Sequence, residues 1–410
     1  MRRIKAFIKR IRENFFKREL MRYFDWPLFL MAVAISLFSV VVIFSASSTE
    51  VTEKPATVLE MLQTQPLTYA RLQLIWMIAG IVAMFFIMLF DYQIYGNYAN
   101  AMYALNLIVL AVVLLMEKGR GGMSAFFRWG SNRTFQPSEL GKAIMIIAFA
   151  KAFAVRTRPV MTLREIVPLV LYLALPMILI VAQPDVGTAL VYLAVFCVMV
   201  LVSGTNWRLI GGVLAVCVVL VIPVWYFLNN SSADSFRLMR ILIWLDPESY
   251  PDEARQVING QIALGSGGLL GKGIVSPGSF ASLGYISDDH TDFIFSIVGE
   301  SFGLVGCCAL VLTYMALLGR LVYHIITIDD PFGSYILVGV FAMFLFHIAE
   351  NICMVIGLTP VTGIPLPFMS YGGSNMLTNM AAIGLAENVI MRFRSATNNQ
   401  TINSRRMRQI

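Results

Sequence analysis

Acidic side chains crowd one short stretch, SDDHTDFIF at positions 287–295, directly before an apolar run. Asp292 is the last acid of this stretch, and His290 lies two residues before it. A carboxylate at a membrane interface is partly desolvated, which favours its protonated form and makes it a stronger base. Asp292 is therefore a candidate general base for a hydroxyl group. The alternative is an acid that only stabilises a helix N-terminus, worth about 0.3–1 kcal/mol. That role explains one acid but not the cluster.

A second candidate is the pair Glu139 and Lys142 in FQPSELGK, which are spaced i, i+3 and share one helix face. Pro137 is a favoured first residue for that helix. Charged groups within an apolar span cost several kcal/mol, so they commonly mark function. A lysine there is suited to bind a phosphate group. A purely structural ion pair is the alternative.

Further cations lie between two apolar runs, in the region 229–291. Arg237 and Arg240 are close together in DSFRLMRILIWL, which has helical spacing of apolar residues. Lys272 belongs to a glycine-rich stretch at 265–273. These cations could meet a phosphate group, and the glycines would let the backbone approach a substrate closely. The glycines could equally serve only to turn the chain.

Composition identifies the kind of protein that positions these groups. The chain is 58% hydrophobic and 13% charged, whereas soluble domains average roughly 45–50% and about 25%. Apolar runs of about 18 residues recur along its length, which predicts an all-α polytopic membrane protein. Ten spans are predicted at about 27–46, 73–92, 99–116, 139–155, 166–182, 187–203, 209–228, 293–320, 333–357 and 375–392.

The distribution of positive charge predicts the orientation. The net charge of +7 comes largely from basic residues before the first span and after the last. This pattern indicates cytoplasmic termini rather than nucleic-acid binding. We expect a basic amphipathic arm on anionic lipid at 1–25 and a ten-helix domain at 26–393. A basic tail follows at 394–410. The region 229–291 is expected to be a large extracytoplasmic loop with short helical or re-entrant segments.

Five stretches together resemble the SEDS family (RodA, FtsW and SpoVE). They are FQPSELGK at 135–142, QPDVGTAL at 183–190, GQIALGSGGLLGKG at 260–273, HTDFIF at 290–295 and LTPVTGIPLPFMSYGGS at 358–374. The resemblance places the essential aspartate of the family on Asp292 and its acid–lysine pair on Glu139 and Lys142. LDPESYP at 245–251 is similar to the elongation branch. Ser301 departs from the family, which usually has an acid there.

The resemblance implies a peptidoglycan glycosyltransferase that joins lipid II units into β-1,4-linked glycan at the outer face of the bacterial cell membrane. Its transfer inverts the anomeric centre and releases undecaprenyl pyrophosphate. The expected catalytic residue is Asp292, and the expected substrate contacts are Glu139, Lys142, His290, Lys272, Arg237, Arg240 and Ser370. No metal site or cofactor is expected, although a divalent cation could accompany the pyrophosphate.

The partners implied by the resemblance are lipid II, undecaprenyl-linked glycan, membrane lipids, a class B penicillin-binding protein and other membrane proteins of the elongation complex. Nucleic acid is not expected as a partner. Three alternatives stay open at this point. The chain could be a lipid II flippase or other transporter, because intramembrane Glu, Lys and Asp also suit a translocation path. It could be a division-type polymerase of the same family, or a scaffold that recruits a transpeptidase.

Overall fold

The computed structural model describes most of the chain. The described residues are 18–48, 66–116, 127–129, 132–156, 162–183, 185–205, 211–212, 235–286 and 290–407. Their α-helices are α1 Arg18–Met21, α2 Trp26–Ala46, α3 Thr68–Leu89, α4 Tyr92–Met116, α5 Pro137–Ala154, α6 Leu163–Ala182, α7 Val186–Val202, α8 Ser235–Leu245, α9 Pro251–Ser266, α10 Ile294–Thr327, α11 Pro331–Val355 and α12 Gly373–Met407. A short antiparallel pair, β1 Phe127–Trp129 and β2 Asn132–Phe135, precedes α5.

The helices confirm a polytopic helical membrane protein. Six of the described helices are long and apolar enough to cross a membrane, and α7 is a shorter apolar helix of 17 residues. Nine of the ten predicted spans coincide with a described helix. The tenth, at 209–228, falls almost entirely outside the described residues. Helices α8 and α9 lie within 229–291, where short helical segments were predicted.

Helix α11 lies at the centre of the bundle. It packs against α5, α7, α10 and α12. In its most apolar 18-residue stretch, 67% of the residues are buried within the protein, against 28% in α3, α4 and α6. Within the described residues, those three helices therefore leave more of their surface available to lipid than α11 does. Polar side chains on α11 consequently face other helices and loops of the protein.

The loop after α9 is hydrogen-bonded to α10 at a break in that helix. Gly303 has φ +66°, a left-handed conformation in the middle of the helix, which glycine adopts without a steric penalty. The neighbouring amides then turn to the loop: Leu304 donates to the Gly268 carbonyl at 2.9 Å and Val305 to the Leu269 carbonyl at 3.1 Å. These bonds satisfy amides that the break would otherwise leave unpaired. The loop is thereby fixed against α10.

A buried ion cluster joins three helices at the opposite end of α10. The Asp25 side chain is fully buried and accepts a hydrogen bond from Arg320, whose Nη2 lies 2.8 Å from Oδ2. It also contacts His324, and the Asp25 amide donates to Glu387 at 3.0 Å. Burial raises the pKa of Asp25, but the hydrogen bonds from His324 and Arg320 outweigh it and hold the pKa well below its usual range. The cluster connects α2, α10 and α12.

Replacing Asp25 with asparagine is expected to lower the free energy of unfolding by about 3 kcal/mol, because removing one partner of a buried ion pair leaves the other uncompensated. Denaturant titration of the purified protein in detergent micelles measures this. Asp91→Asn is the matched control. Its carboxylate lies 3.4 Å from Arg392 and is 41% exposed, so its loss should cost less than about 1 kcal/mol. Equal effects of the two substitutions would contradict a stabilising role for the Asp25 cluster.

Candidate active site

Asp292 lies in the turn directly before α10 and is partly buried. Its backbone carbonyl accepts a hydrogen bond from Asn351 Nδ2 on α11 at 2.9 Å. The same amide nitrogen donates to the Ile364 carbonyl at 2.8 Å. Ile364 belongs to the loop between α11 and α12, residues 356–372, called here the α11–α12 loop. The Asn351 side chain therefore fixes the backbone of the Asp292 turn to this loop. The Asp292 carboxylate takes no part in these two hydrogen bonds.

The Asp292 carboxylate and the Arg240 guanidinium both lie beside Gly363. A Cβ added to Gly363 would lie 3.3 Å from Asp292 Oδ2 and 3.9 Å from Arg240 Nη1. Gly363 has φ +76°, so this position favours glycine both for its backbone and for the room it leaves. Arg240 Nη1 also donates to the Val361 carbonyl at 3.2 Å. A candidate base and a guanidinium thus share one small region, an arrangement that suits transfer from a phosphate leaving group.

His290 lies in a group of aromatic rings beside this region. Its ring centroid is 4.6 Å from that of Tyr69 and 5.5 Å from that of Tyr371. Its backbone carbonyl accepts a hydrogen bond from the Tyr371 amide at 2.8 Å. The predicted substrate contact at His290 is thus a partly buried ring within an aromatic cluster. This cluster connects α3, the Asp292 turn and the α11–α12 loop.

Ser370 is an expected substrate contact whose hydroxyl makes two hydrogen bonds to backbone groups. Its side chain is fully buried, and its hydroxyl donates to the Thr291 carbonyl at 2.7 Å while accepting from the Leu366 amide at 2.8 Å. Because the hydroxyl is already engaged with two backbone groups, Ser370 connects the α11–α12 loop to the Asp292 turn. A direct contact between Ser370 and substrate stays a prediction.

Glu139 and Lys142 form a salt bridge of 2.7 Å inside the bundle, with side chains 6% and 2% exposed. Lys142 Nζ is also 3.1 Å from His347 Nε2 on α11. The Lys142 ammonium is therefore turned into the protein. This geometry favours the structural ion pair over the predicted contact with pyrophosphate. Glu139 Oε2 has no hydrogen-bond partner within the described part of the chain.

Lys272 is paired with Glu300, at 2.8 Å, and its side chain is 27% exposed. Glu300 also accepts hydrogen bonds from the amides of Phe280 and Ala281 at 2.8 and 3.3 Å. The carboxylate therefore fixes the loop that follows α9, and Lys272 neutralises its buried charge. The predicted role of Lys272 as a phosphate contact is weakened, because its ammonium already has a carboxylate partner. Arg237 belongs to α8, but its side chain lies outside the described residues.

Asp185 of the QPDVG motif is an N-terminal cap of α7. Its Oδ1 accepts from the Thr188 amide at 3.1 Å, and its Oδ2 accepts from Gln136 Nε2 at 2.7 Å and from Ser138 Oγ at 3.0 Å. It thus joins the beginning of α5 to that of α7. A Cβ added to the next glycine, Gly187, would lie only 2.9 Å from Ile364 Cγ1. The motif therefore also allows α7 to pack closely against the α11–α12 loop.

The sequence prediction gave no role in the site to the polar face of α11. His347, Glu350 and Asn351 are spaced i, i+3 and i+4 in an apolar helix, and each binds the α11–α12 loop. Glu350 Oε1 accepts from Thr362 Oγ1 at 2.8 Å. The signal was present, since three polar groups on one face of a central span need partners inside the protein. Their partners are largely backbone carbonyls, which a sequence pattern does not identify.

The described residues belong to a polytopic membrane protein in which a partly buried carboxylate, a guanidinium and aromatic rings lie beside the α11–α12 loop. A family model described as "Cell cycle protein", for FtsW, RodA and SpoVE, matches residues 25–395. The chain belongs to this family, the SEDS proteins. The resemblance seen in the five sequence motifs is thereby confirmed.

Named relatives come from both branches of the family. The chain is 32% identical over 383 residues to a probable peptidoglycan glycosyltransferase FtsW of Geobacter metallireducens, which covers 92% of this chain and 97% of the relative. It is 31% identical over 369 residues to the peptidoglycan glycosyltransferase MrdB of Escherichia coli K12, covering 90% and 93%. Solved structures resemble it too. The rod shape determining protein RodA of Thermus thermophilus matches at 26% identity and TM-score 0.64, over 90% of this chain and 97% of that one.

A further solved structure describes the coordination of polymerization and crosslinking by a peptidoglycan synthase complex. One of its chains matches at 28% identity and TM-score 0.69, over 90% of this chain and 97% of that chain. Identity above 25% over nearly the whole length makes the shared fold secure. The helix arrangement around α11 is therefore that of the family.

Proposed function

We propose that this chain, a peptidoglycan glycosyltransferase of the SEDS family, polymerises lipid II into β-1,4-linked glycan at the extracytoplasmic face of the bacterial cell membrane. The family assignment supports the enzyme class. The observation that supports the proposal most directly is the position of the Asp292 carboxylate and the Arg240 guanidinium, both beside Gly363. A base and a cation so placed match the two needs of a transfer from a pyrophosphate-linked sugar.

The proposed reaction is a single inverting displacement. A sugar hydroxyl of lipid II attacks the anomeric carbon of a lipid-pyrophosphate-linked glycan while the bond from that carbon to the phosphate oxygen breaks. The hydroxyl proton passes to the Asp292 carboxylate, and the lipid pyrophosphate leaves with the bonding electrons. Arg240 stabilises the charge that develops on this leaving group. No protein-bound metal is required, and a divalent cation carried by the pyrophosphate is compatible with the scheme.

We infer that the chain acts in the elongation branch together with a class B penicillin-binding protein that crosslinks the glycan. The LDPESYP stretch favours this branch, while the relatives carry names from both. The likeness to a chain of a peptidoglycan synthase complex supports the partner. Expression in cells depleted of their own elongation or division polymerase tests the branch. Restored rod shape supports elongation, and restored septation alone would contradict it.

A transporter is the competing function, because buried Glu, Lys and Asp also suit a translocation path. Purified protein reconstituted into liposomes with lipid II separates the two. The enzyme converts lipid II into glycan polymer, whereas a transporter moves intact lipid II across the bilayer. Polymer formation is the expected result. Transbilayer movement without polymer would reject the proposed function.

The proposal requires the loop after α9 to face outward. Leu270 is 80% exposed in that loop, so we expect Leu270→Cys to react with a membrane-impermeant maleimide in intact cells. The five native cysteines are first replaced by serine. Ala396→Cys, exposed near the C-terminus, is the matched control and should react only after permeabilisation. The reverse labelling pattern would overturn the orientation.

A further inference from the structure

His347 lies between two parts of the site that belong to separate sequence motifs. They are the Glu139–Lys142 pair and the α11–α12 loop. It is 1% exposed on α11, with Nε2 3.1 Å from Lys142 Nζ and Nδ1 3.1 Å from the Pro365 carbonyl. A carbonyl only accepts, so Nδ1 must carry the hydrogen in order to donate to it. Nε2 can then be bare and accept from the Lys142 ammonium. One ring thus joins the buried ion pair on α5 to the α11–α12 loop.

Asn351 repeats this arrangement one turn further along α11. The two side chains are spaced i, i+4 and so share one face of the helix. His347 holds the Pro365 carbonyl, and Asn351 holds the adjacent Ile364 carbonyl together with that of Asp292. Two consecutive backbone carbonyls of the α11–α12 loop are therefore hydrogen-bonded to side chains of α11. Gly363, which lies beside the Asp292 carboxylate, directly precedes them.

We propose that His347 is a positioning residue for the transfer reaction, which sets the α11–α12 loop, and with it Asp292 and Arg240, at a fixed distance from the Glu139–Lys142 pair. The expected effect of His347 on turnover rests on the proposed function. Its effect on the position of the loop does not. The ion pair serves as the anchor, because both of its side chains are almost fully buried on α5. Loss of the ring nitrogens would free the loop from this anchor.

The inference predicts different results for two substitutions. Phenylalanine keeps a planar ring but has neither donor nor acceptor, so His347→Phe should release the loop. A displacement of about 1 Å can cost about 100-fold in rate. We expect kcat for glycan formation from lipid II to fall about 10- to 100-fold on this basis, with KM changed less than about threefold. Glutamine carries one donor and one acceptor at its end, so His347→Gln should recover most of the lost turnover.

Amide hydrogen exchange across 358–372 provides a readout that does not depend on activity. Exchange in this loop should be faster in His347→Phe than in the wild type, and close to the wild-type rate in His347→Gln. Leu337→Ala is the control. Leu337 is fully buried on the same helix and lies about 15 Å from His347 along the helix axis. Its truncation should therefore leave a cavity in the core away from the loop. Leu337→Ala should leave exchange in 358–372 unchanged relative to the wild type.

Two outcomes would overturn the positioning role. One is unchanged exchange in 358–372 for His347→Phe, and the other is equally fast exchange in Leu337→Ala, which would indicate general loss of packing. If the wild type forms no glycan from lipid II, the proposed function fails, and the exchange experiment still decides whether His347 holds the loop. If the wild type is active, retention of kcat within threefold in His347→Phe would also reject the inference.

Discussion

Asp292→Asn is expected to lower the rate of glycan formation by roughly 10²–10⁴-fold, the usual contribution of a general base. Asparagine has nearly the shape of aspartate but cannot take a proton from a sugar hydroxyl. Folding should survive, because the Asn351 side chain holds Asp292 by its backbone carbonyl, which the substitution leaves in place. Asparagine also caps helices well. The effect should therefore fall on turnover and not on the amount of folded protein.

The measurement compares polymer formed from lipid II by matched amounts of folded wild-type and Asp292→Asn protein. Binding of lipid II should change little, since the substitution alters the proton acceptor and one charge. Asp252→Asn is the matched control. It makes the same change in the first turn of α9, on a side chain that is 86% exposed, and should be as active as the wild type. An Asp292→Asn variant within about threefold of the wild type would reduce Asp292 to a helix-terminal acid.

The second large effect is expected at the buried pair Glu139 and Lys142. Lys142→Met leaves a carboxylate without its cation in a site that is almost fully buried. Removing one partner of such a pair typically costs about 3–5 kcal/mol. The single variant should therefore lose stability and activity together, and loss of activity alone would not show what Lys142 does.

The double variant Glu139→Gln with Lys142→Met separates the two roles. Both side chains are then neutral and similar in size to the originals, so most of the lost stability should return. Methionine cannot donate a hydrogen bond to His347 Nε2, so kcat should stay about 10- to 100-fold below the wild type. Denaturant titration and the polymerisation assay on the same preparations measure both. Recovery of stability and of wild-type turnover together would leave the pair with a purely structural role.

The spans and the general location of the site follow from the sequence because their causes are local. Apolar runs predict the nine spans that coincide with described helices, six of which are long and apolar enough to cross a membrane, since a helix must satisfy its own backbone in lipid. Asp292 precedes α10 as expected, and Asp185 precedes α7. Charge and helical spacing were sufficient to single out these positions.

The contacts made by each predicted residue could not be read from the sequence. Ser370 was predicted to bind substrate, yet its hydroxyl holds two backbone groups. Lys142 was a candidate for pyrophosphate, but its ammonium faces Glu139 and His347 inside the bundle. In each case one partner lies far away in the chain, His347 for Lys142 and the Thr291 carbonyl for Ser370. Such pairings depend on how the α11–α12 loop folds over α11, which no local pattern encodes.

We propose that the carboxylate of Asp292 drives the polymerisation of lipid II. The most direct test follows purified lipid II with wild-type and Asp292→Asn protein, and measures both muramidase-sensitive glycan and released polyprenyl pyrophosphate. The wild type should release about one pyrophosphate for each glycosidic bond formed, and the variant should release almost none on the same timescale. Folded wild-type protein that forms neither product, or a variant that forms both at the wild-type rate, would contradict the account.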